Sequence, residues 1–171
     1  GAHFNPVVSA VSALRREIGW STACLFALVQ ITGGCAGTLL AHGMFDLPLV
    51  QLSAHARTGP GQWLSEGVAT FALIFAILGT LRARPDAVPV SVALVIVAGY
   101  WFTASTSFAN PAVTIARTLS DTFAGIAPVD APAFVAAQCA GAITAWLMAE
   151  RVFGWRPTAR EEPSLSGRLE E

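Results

Sequence analysis

Lysine is missing altogether, and all ten basic residues are arginines. Charge of either sign is scarce: 12% of the 171 positions, against roughly a quarter in an ordinary soluble domain. Ten basic residues against eleven acidic ones leave a net charge of −1, which excludes a polybasic nucleic-acid surface and an acidic tail. Cysteine is few and odd in number. Cys24, Cys35 and Cys139 lie inside apolar runs, so a disulfide framework or a zinc site is excluded and they read as packed thiols. Ser105, Ser107 and Thr114 have no histidine in the later apolar runs to activate them. No nucleotide-binding loop or metal-ligand cluster appears either. An enzyme is therefore not expected, nor a cofactor or a bound metal.

What is present is apolar and comes in long blocks. Hydrophobic residues make up 54% of the chain and the mean hydropathy is +0.58. Ile18 to His42, Trp63 to Leu81, Val88 to Ala104 and Phe134 to Phe153 are each long enough to cross about 30 Å of hydrocarbon as a helix. The chain reads as an all-α membrane protein with four full spans, its partner the lipid bilayer. Residues 154 to 171 are polar and proline-containing, and read as a disordered tail.

Arginine sorts across these spans. Arg15, Arg16, Arg82, Arg84, Arg151, Arg156, Arg160 and Arg168 fall on one side when the spans alternate, and Arg57 and Arg117 on the other. The arginine-rich side is expected to be cytoplasmic, the tail with it. Trp20, Trp63 and Trp155 lie near span ends, where an indole prefers the headgroup region.

An internal repeat carries the strongest signal. The segment from Gly1 to Ser9 contains Asn5-Pro6-Val7, and the segment from Ser105 to Thr114 contains Asn110-Pro111-Ala112. Each is followed by a glutamine among small residues: Gln30, 25 residues after Asn5, and Gln138, 28 residues after Asn110. An odd number of spans separates the two copies, so one is inverted relative to the other. Two spans precede the second motif and none precedes the first. We therefore expect a chain lacking two spans of its first repeat.

Asn before Pro is a good helix N-cap, and proline at the first helical position wastes no hydrogen bond. Pro6 to about Leu14 and Pro111 to about Leu119 are too short to cross a membrane and read as re-entrant half-helices. Irregular backbone at membrane depth survives where protein or a water-filled cavity surrounds it, so the pair implies an aqueous path. The inverted helices are expected to meet at their amino ends, each carrying roughly half a positive charge, with both asparagine amides facing the lumen. Gly33, Gly37, Ala137 and Gly141, at four-residue spacing, read as sites of close helix contact.

These residues resemble the aquaporin and aquaglyceroporin family of major intrinsic proteins, over nearly everything from Gly1 to about Phe153. The resemblance rests on the paired Asn-Pro motifs, the downstream Gln30 and Gln138, and Glu66 alone in the span before the second motif. It implies an aquaporin-like inverted repeat over residues 1–153, a pore at Asn5, Pro6, Val7, Asn110, Pro111 and Ala112, and Glu66 supporting a carbonyl-lined loop. His3 would match a histidine near the cytoplasmic mouth. Val7 replaces the usual alanine, a change expected to affect packing.

Val113 replaces the arginine that water- and glycerol-passing members commonly carry after the second motif, and Arg117, one turn on, does not match that position. By the resemblance, Ser107, Val113 and Tyr100 (or Gly99) would line a filter that is wider, less polar and less repulsive to cations. Arginine-lacking filters resemble those of bacterial arsenic-resistance channels. The implied function is a passive channel for water and small neutral solutes, glycerol-like polyols or arsenite, as a homotetramer in a bacterial inner membrane. A non-conducting, purely structural membrane protein is the competing reading.

Overall fold

The computed structural model describes residues 3–155, all helix and loop with no strand among them. The order is α1 (Pro6–Leu14), α2 (Trp20–Met44), α3 (Pro60–Ala83), α4 (Val88–Phe102), α5 (Pro111–Arg117) and α6 (Ala131–Leu147). A 3-10 turn, Pro85–Ala87, leads into α4, and a π-helical turn, Met148–Val152, continues α6. Residues 156–171, including Arg156, Arg160 and Arg168, lie outside the described residues, as does Gly1.

Proline punctuates this order. Five of the six α-helices carry one in the first turn, where its missing N–H costs no hydrogen bond. The spans Trp20–Met44, Pro60–Ala83, Pro85–Phe102 and Ala131–Val152 are each long and apolar enough to cross a bilayer. Two of them start earlier than the hydrophobic runs suggest, because Pro60 and Pro132, not the first apolar residue, set the start. The half-helix α5 stops at Arg117, short of Leu119. There the bonds tighten to Thr118 N–Ile115 O and Leu119 N–Ala116 O, and the Thr118 hydroxyl donates to Ile115 O at 2.7 Å. At about 1.5 Å per residue, α1 and α5 reach less than half of a 30 Å core.

The tightest packing is α3 on α6. A Cβ placed on Gly141 would stand 2.2 Å from the Gly67 carbonyl oxygen, so only a glycine permits this backbone approach. Val7 and Val11 of α1 join Ile74, Leu78, Ala142, Ala145 and Ala149 in the main core cluster, with Phe71, Phe75 and Trp155 against it. Arg15 closes this end of the molecule: its guanidinium reaches Glu17 at 2.7 Å, Glu150 at 3.2 Å and the Trp155 carbonyl at 2.8 Å. At the opposite end, residues 53–57 lace onto residues 118–130 through Ser53 N–Thr118 O, Ala54 N–Asp121 Oδ1, Ala127 N–His55 O and Arg57 N–Asp130 Oδ2.

Two readings from sequence need correction. Gly33 and Gly37 face open space, with nothing within 4 Å of the place a methyl would take, whereas Gly141 makes the close contact expected of it. Cys24 and Cys139 are exposed and Cys35 is partly so, so these thiols lie on the apolar outer surface and are not packed inside. That surface is rich in Leu25, Leu28, Leu40, Leu94 and Val97, all more than half exposed. Only 6% of the apolar window in α2 is buried, against 33% in α3 and in α6. Helices apolar on every side yet uncovered are what a lipid solvent requires.

Candidate functional site

The site begins at the two helix starts. Asn5 caps α1 by accepting from Val7 N at 3.1 Å, and Asn110 caps α5 by accepting from Ala112 N at 3.0 Å and Val113 N at 3.3 Å. Each amide also reaches across: Asn5 Nδ2 donates to the Ala109 carbonyl at 2.7 Å, and Asn110 Nδ2 to the Phe4 carbonyl at 2.8 Å. The two tips are thus tied together by a reciprocal pair of bonds, each from one asparagine to the residue preceding the other.

Backbone strain follows the same symmetry. Phe4 (φ 54°) and Ala109 (φ 47°) are both left-handed, at about 1–2 kcal/mol each for residues with a Cβ. In each case the carbonyl so turned accepts the opposite amide, which offsets the strain. Thr106 (φ 62°) and Ser107 (φ 51°) continue the strained run before the second motif. The expectation that both amides face a lumen needs correction: the cross-bonds take one N–H of each, Asn5 is buried, and neither asparagine lines the open space beside the tips.

Glu66 holds the second tip. It is fully buried, and its carboxyl accepts four bonds: Ser105 Oγ at 2.7 Å and Phe108 N at 2.8 Å on Oε1, Ala109 N at 2.9 Å and Gln138 Nε2 at 2.7 Å on Oε2. Gln138 also donates to Thr114 Oγ1 at 2.8 Å. The first tip has a lighter frame, in which Gln30 Nε2 donates to Ser9 Oγ at 3.2 Å and His3 Nδ1 stands 3.1 Å from the same hydroxyl. Ser9 and Thr114, each four residues after its asparagine, are partners that the spacing alone could have flagged.

Beside the tips runs an open groove of about 1010 Å³ between α2 and α5. Val113 and Ala112 form one wall, Phe26, Val29 and Gly33 the other, with His3 and Gln30 toward one end and Arg117 toward the other. Such a lining, mostly apolar with few polar groups, suits a small neutral solute better than an ion. Val7 is buried in the core and not in the groove. Tyr100 is not among the groove residues and stacks edge-on against Trp101 at 5.7 Å. Its neighbour Gly99 meets Ser107 instead: a Cβ there would stand 2.6 Å from the Ser107 hydroxyl.

Two half-helices tied tip to tip among full apolar spans, with one capping and supporting scheme repeated in opposite orientation, define an inverted-repeat membrane protein of re-entrant type. Residues 61–162 match the family described as Major intrinsic protein, and the chain belongs to it. It is 52% identical over 153 residues to the aquaglyceroporin AqpS of Rhizobium meliloti (strain 1021), covering 86% of this chain and 66% of that protein. It is 30% identical over 102 residues to the Arabidopsis thaliana protein described as "Probable aquaporin NIP4-2", covering 57% of this chain and 36% of that one. The chain thus spans about two thirds of the length of the first relative and about a third of the second.

Proposed function

We propose that the protein containing this chain is a passive channel for water and small uncharged solutes of the glycerol type, acting as a homotetramer in the inner membrane of a bacterium. The observation that carries this reading is the reciprocal Asn5–Ala109 and Asn110–Phe4 bonding at the meeting of the two half-helices. It fixes the meeting point of the two helix starts next to Phe4, Ala112 and Val113, which line the open groove, and it leaves one N–H on each amide without a protein acceptor. The likeness to a protein named an aquaglyceroporin supports the polyol class. The apolar Val113, in place of a filter arginine, favours a wider constriction, and arsenite, a neutral trihydroxy acid, belongs among the solutes to be tried.

Proteoliposomes carrying the full-length protein should shrink and refill in glycerol gradients about tenfold faster than protein-free vesicles. Val113→Arg should lower glycerol and arsenite flux more than water flux, because a guanidinium narrows and polarises the constriction. Equal losses for all three solutes would remove Val113 from the filter. No flux in any of them would leave the structural, non-conducting reading.

A further inference from the structure

Two guanidinium groups share one aromatic ring at the end of the groove. Arg57 stands 4.9 Å from the Phe108 ring centroid and Arg117 4.2 Å from it. Arg57 is buried and three of its five donors are taken: Nε by Gly125 O at 2.7 Å, Nη1 by Ser105 O at 3.2 Å and Nη2 by Phe123 O at 2.8 Å. It fastens the loops, and its burial withholds it from a solute.

Arg117 is different. It is half-buried, lines the groove, and makes no side-chain hydrogen bond to another described residue. The two ion pairs among the described residues both belong to Arg15. Arg57 already occupies the loop carbonyls of Ser105, Phe123 and Gly125, while Arg117, stacked on the same ring, lines the groove with no protein acceptor among the described residues. Val113, Ala116 and Arg117 lie on one face of α5, and Arg117 is one turn farther than Val113 from the asparagine tips. The positive charge lacking at position 113 is therefore present on the same wall, one turn along.

We propose that Arg117 is the charge-selecting residue of this pore, set apart from an apolar constriction at Val113. The assignment rests on the channel reading. It separates two tasks: Val113 leaves width for a bulky neutral solute, while the charge at Arg117, with no acidic partner among the described residues, repels cations and offers donors to hydroxyl or acid oxygens of the permeant. The filter less repulsive to cations that Val113 alone suggests is replaced by one that keeps its barrier in a second layer.

The test compares unchanged full-length protein, Arg117→Gln and Arg117→Lys in proteoliposomes, reading glycerol flux by light scattering and sodium and guanidinium entry by a potential-sensitive dye. Arg117→Gln should raise the cation-to-glycerol permeability ratio about tenfold, since one unit charge near the path is removed. Arg117→Lys, which keeps the charge, should hold the ratio near that of the unchanged protein. A glycerol-conducting Arg117→Gln protein that excludes cations as before overturns the assignment and leaves the channel reading standing. If Arg117→Gln no longer conducts glycerol, the lysine variant decides. Conducting and cation-tight supports the assignment. Conducting and leaky overturns it, and so does a lysine variant that does not conduct, which would make Arg117 a structural prop on Phe108. No glycerol flux in the unchanged protein overturns the channel reading and this assignment together.

Discussion

Gln30 and Gln138 hold matching places in the two repeats, yet their surroundings differ. Gln138 is fully buried and donates to both Glu66 and Thr114, whereas Gln30 is partly exposed and donates to Ser9 alone. The difference extends along whole helix faces. Phe134, Gln138, Gly141, Ala142, Ala145 and Ala149 are all buried, most of them where α6 meets α3 and α1. Their counterparts 108 residues earlier are Phe26, Gln30, Gly33, Gly34, Gly37 and Ala41. All six line the groove. Two faces of nearly one sequence pattern thus have opposite environments. A stripe of small residues encodes a place where a helix can lie, and its partner decides whether the place is filled.

The largest effect is expected where the two frames differ most. Glu66→Ala should strand four buried donors at about 1–3 kcal/mol each before relaxation, so a net loss above about 3 kcal/mol is expected. Gln30→Ala removes one partly exposed bond and should cost about 1 kcal/mol. Unfolding of the chain in detergent, followed by circular dichroism, measures both, and equal losses would break the comparison.

Next come the matched glycines, for which opposite signs are expected. Gly141→Ala drives a methyl into the Gly67 backbone and should cost about 1–3 kcal/mol as α3 and α6 are forced apart. Gly33→Ala meets open space and should stabilise this chain by about 0.5–1 kcal/mol, the ordinary gain of alanine over glycine within a helix. Repeating the pair in the full-length protein sharpens the contrast: a cost at position 33 there would mean that a helix lies along α2 as α3 lies along α6.

Much of this architecture was legible in the residues. Asn before Pro announces a helix start whatever the solvent, so both half-helices could be placed to within two residues. Four apolar runs gave four spans because length against bilayer thickness is a one-dimensional question, and Glu66 stood out as an acid within such a run. What was not legible depends on which apolar medium surrounds a residue. Hydropathy does not separate lipid from protein interior, so the sequence alone points Cys24 and Cys139 to a packed interior and Gly33 and Gly37 to helix contacts that the structure does not make. Nor could spacing reveal that Arg57 and Arg117, sixty residues apart, converge on Phe108. The reciprocal bonding of the tips was hidden too, because it depends on the left-handed turns at Phe4 and Ala109, neither of which is a glycine.

The central claim is that the wall carrying Val113, beside the joined tips, borders the path a solute takes. Thiol labelling of Val113→Cys, with Cys24, Cys35 and Cys139 replaced by alanine and glycerol flux read in the same proteoliposomes, tests it most directly. A water-soluble, bulky methanethiosulfonate should label position 113 and cut glycerol flux at least about fivefold, as expected of a group filling a narrow constriction. Complete labelling with undiminished flux, or a thiol that the reagent never reaches in a conducting protein, would contradict the account.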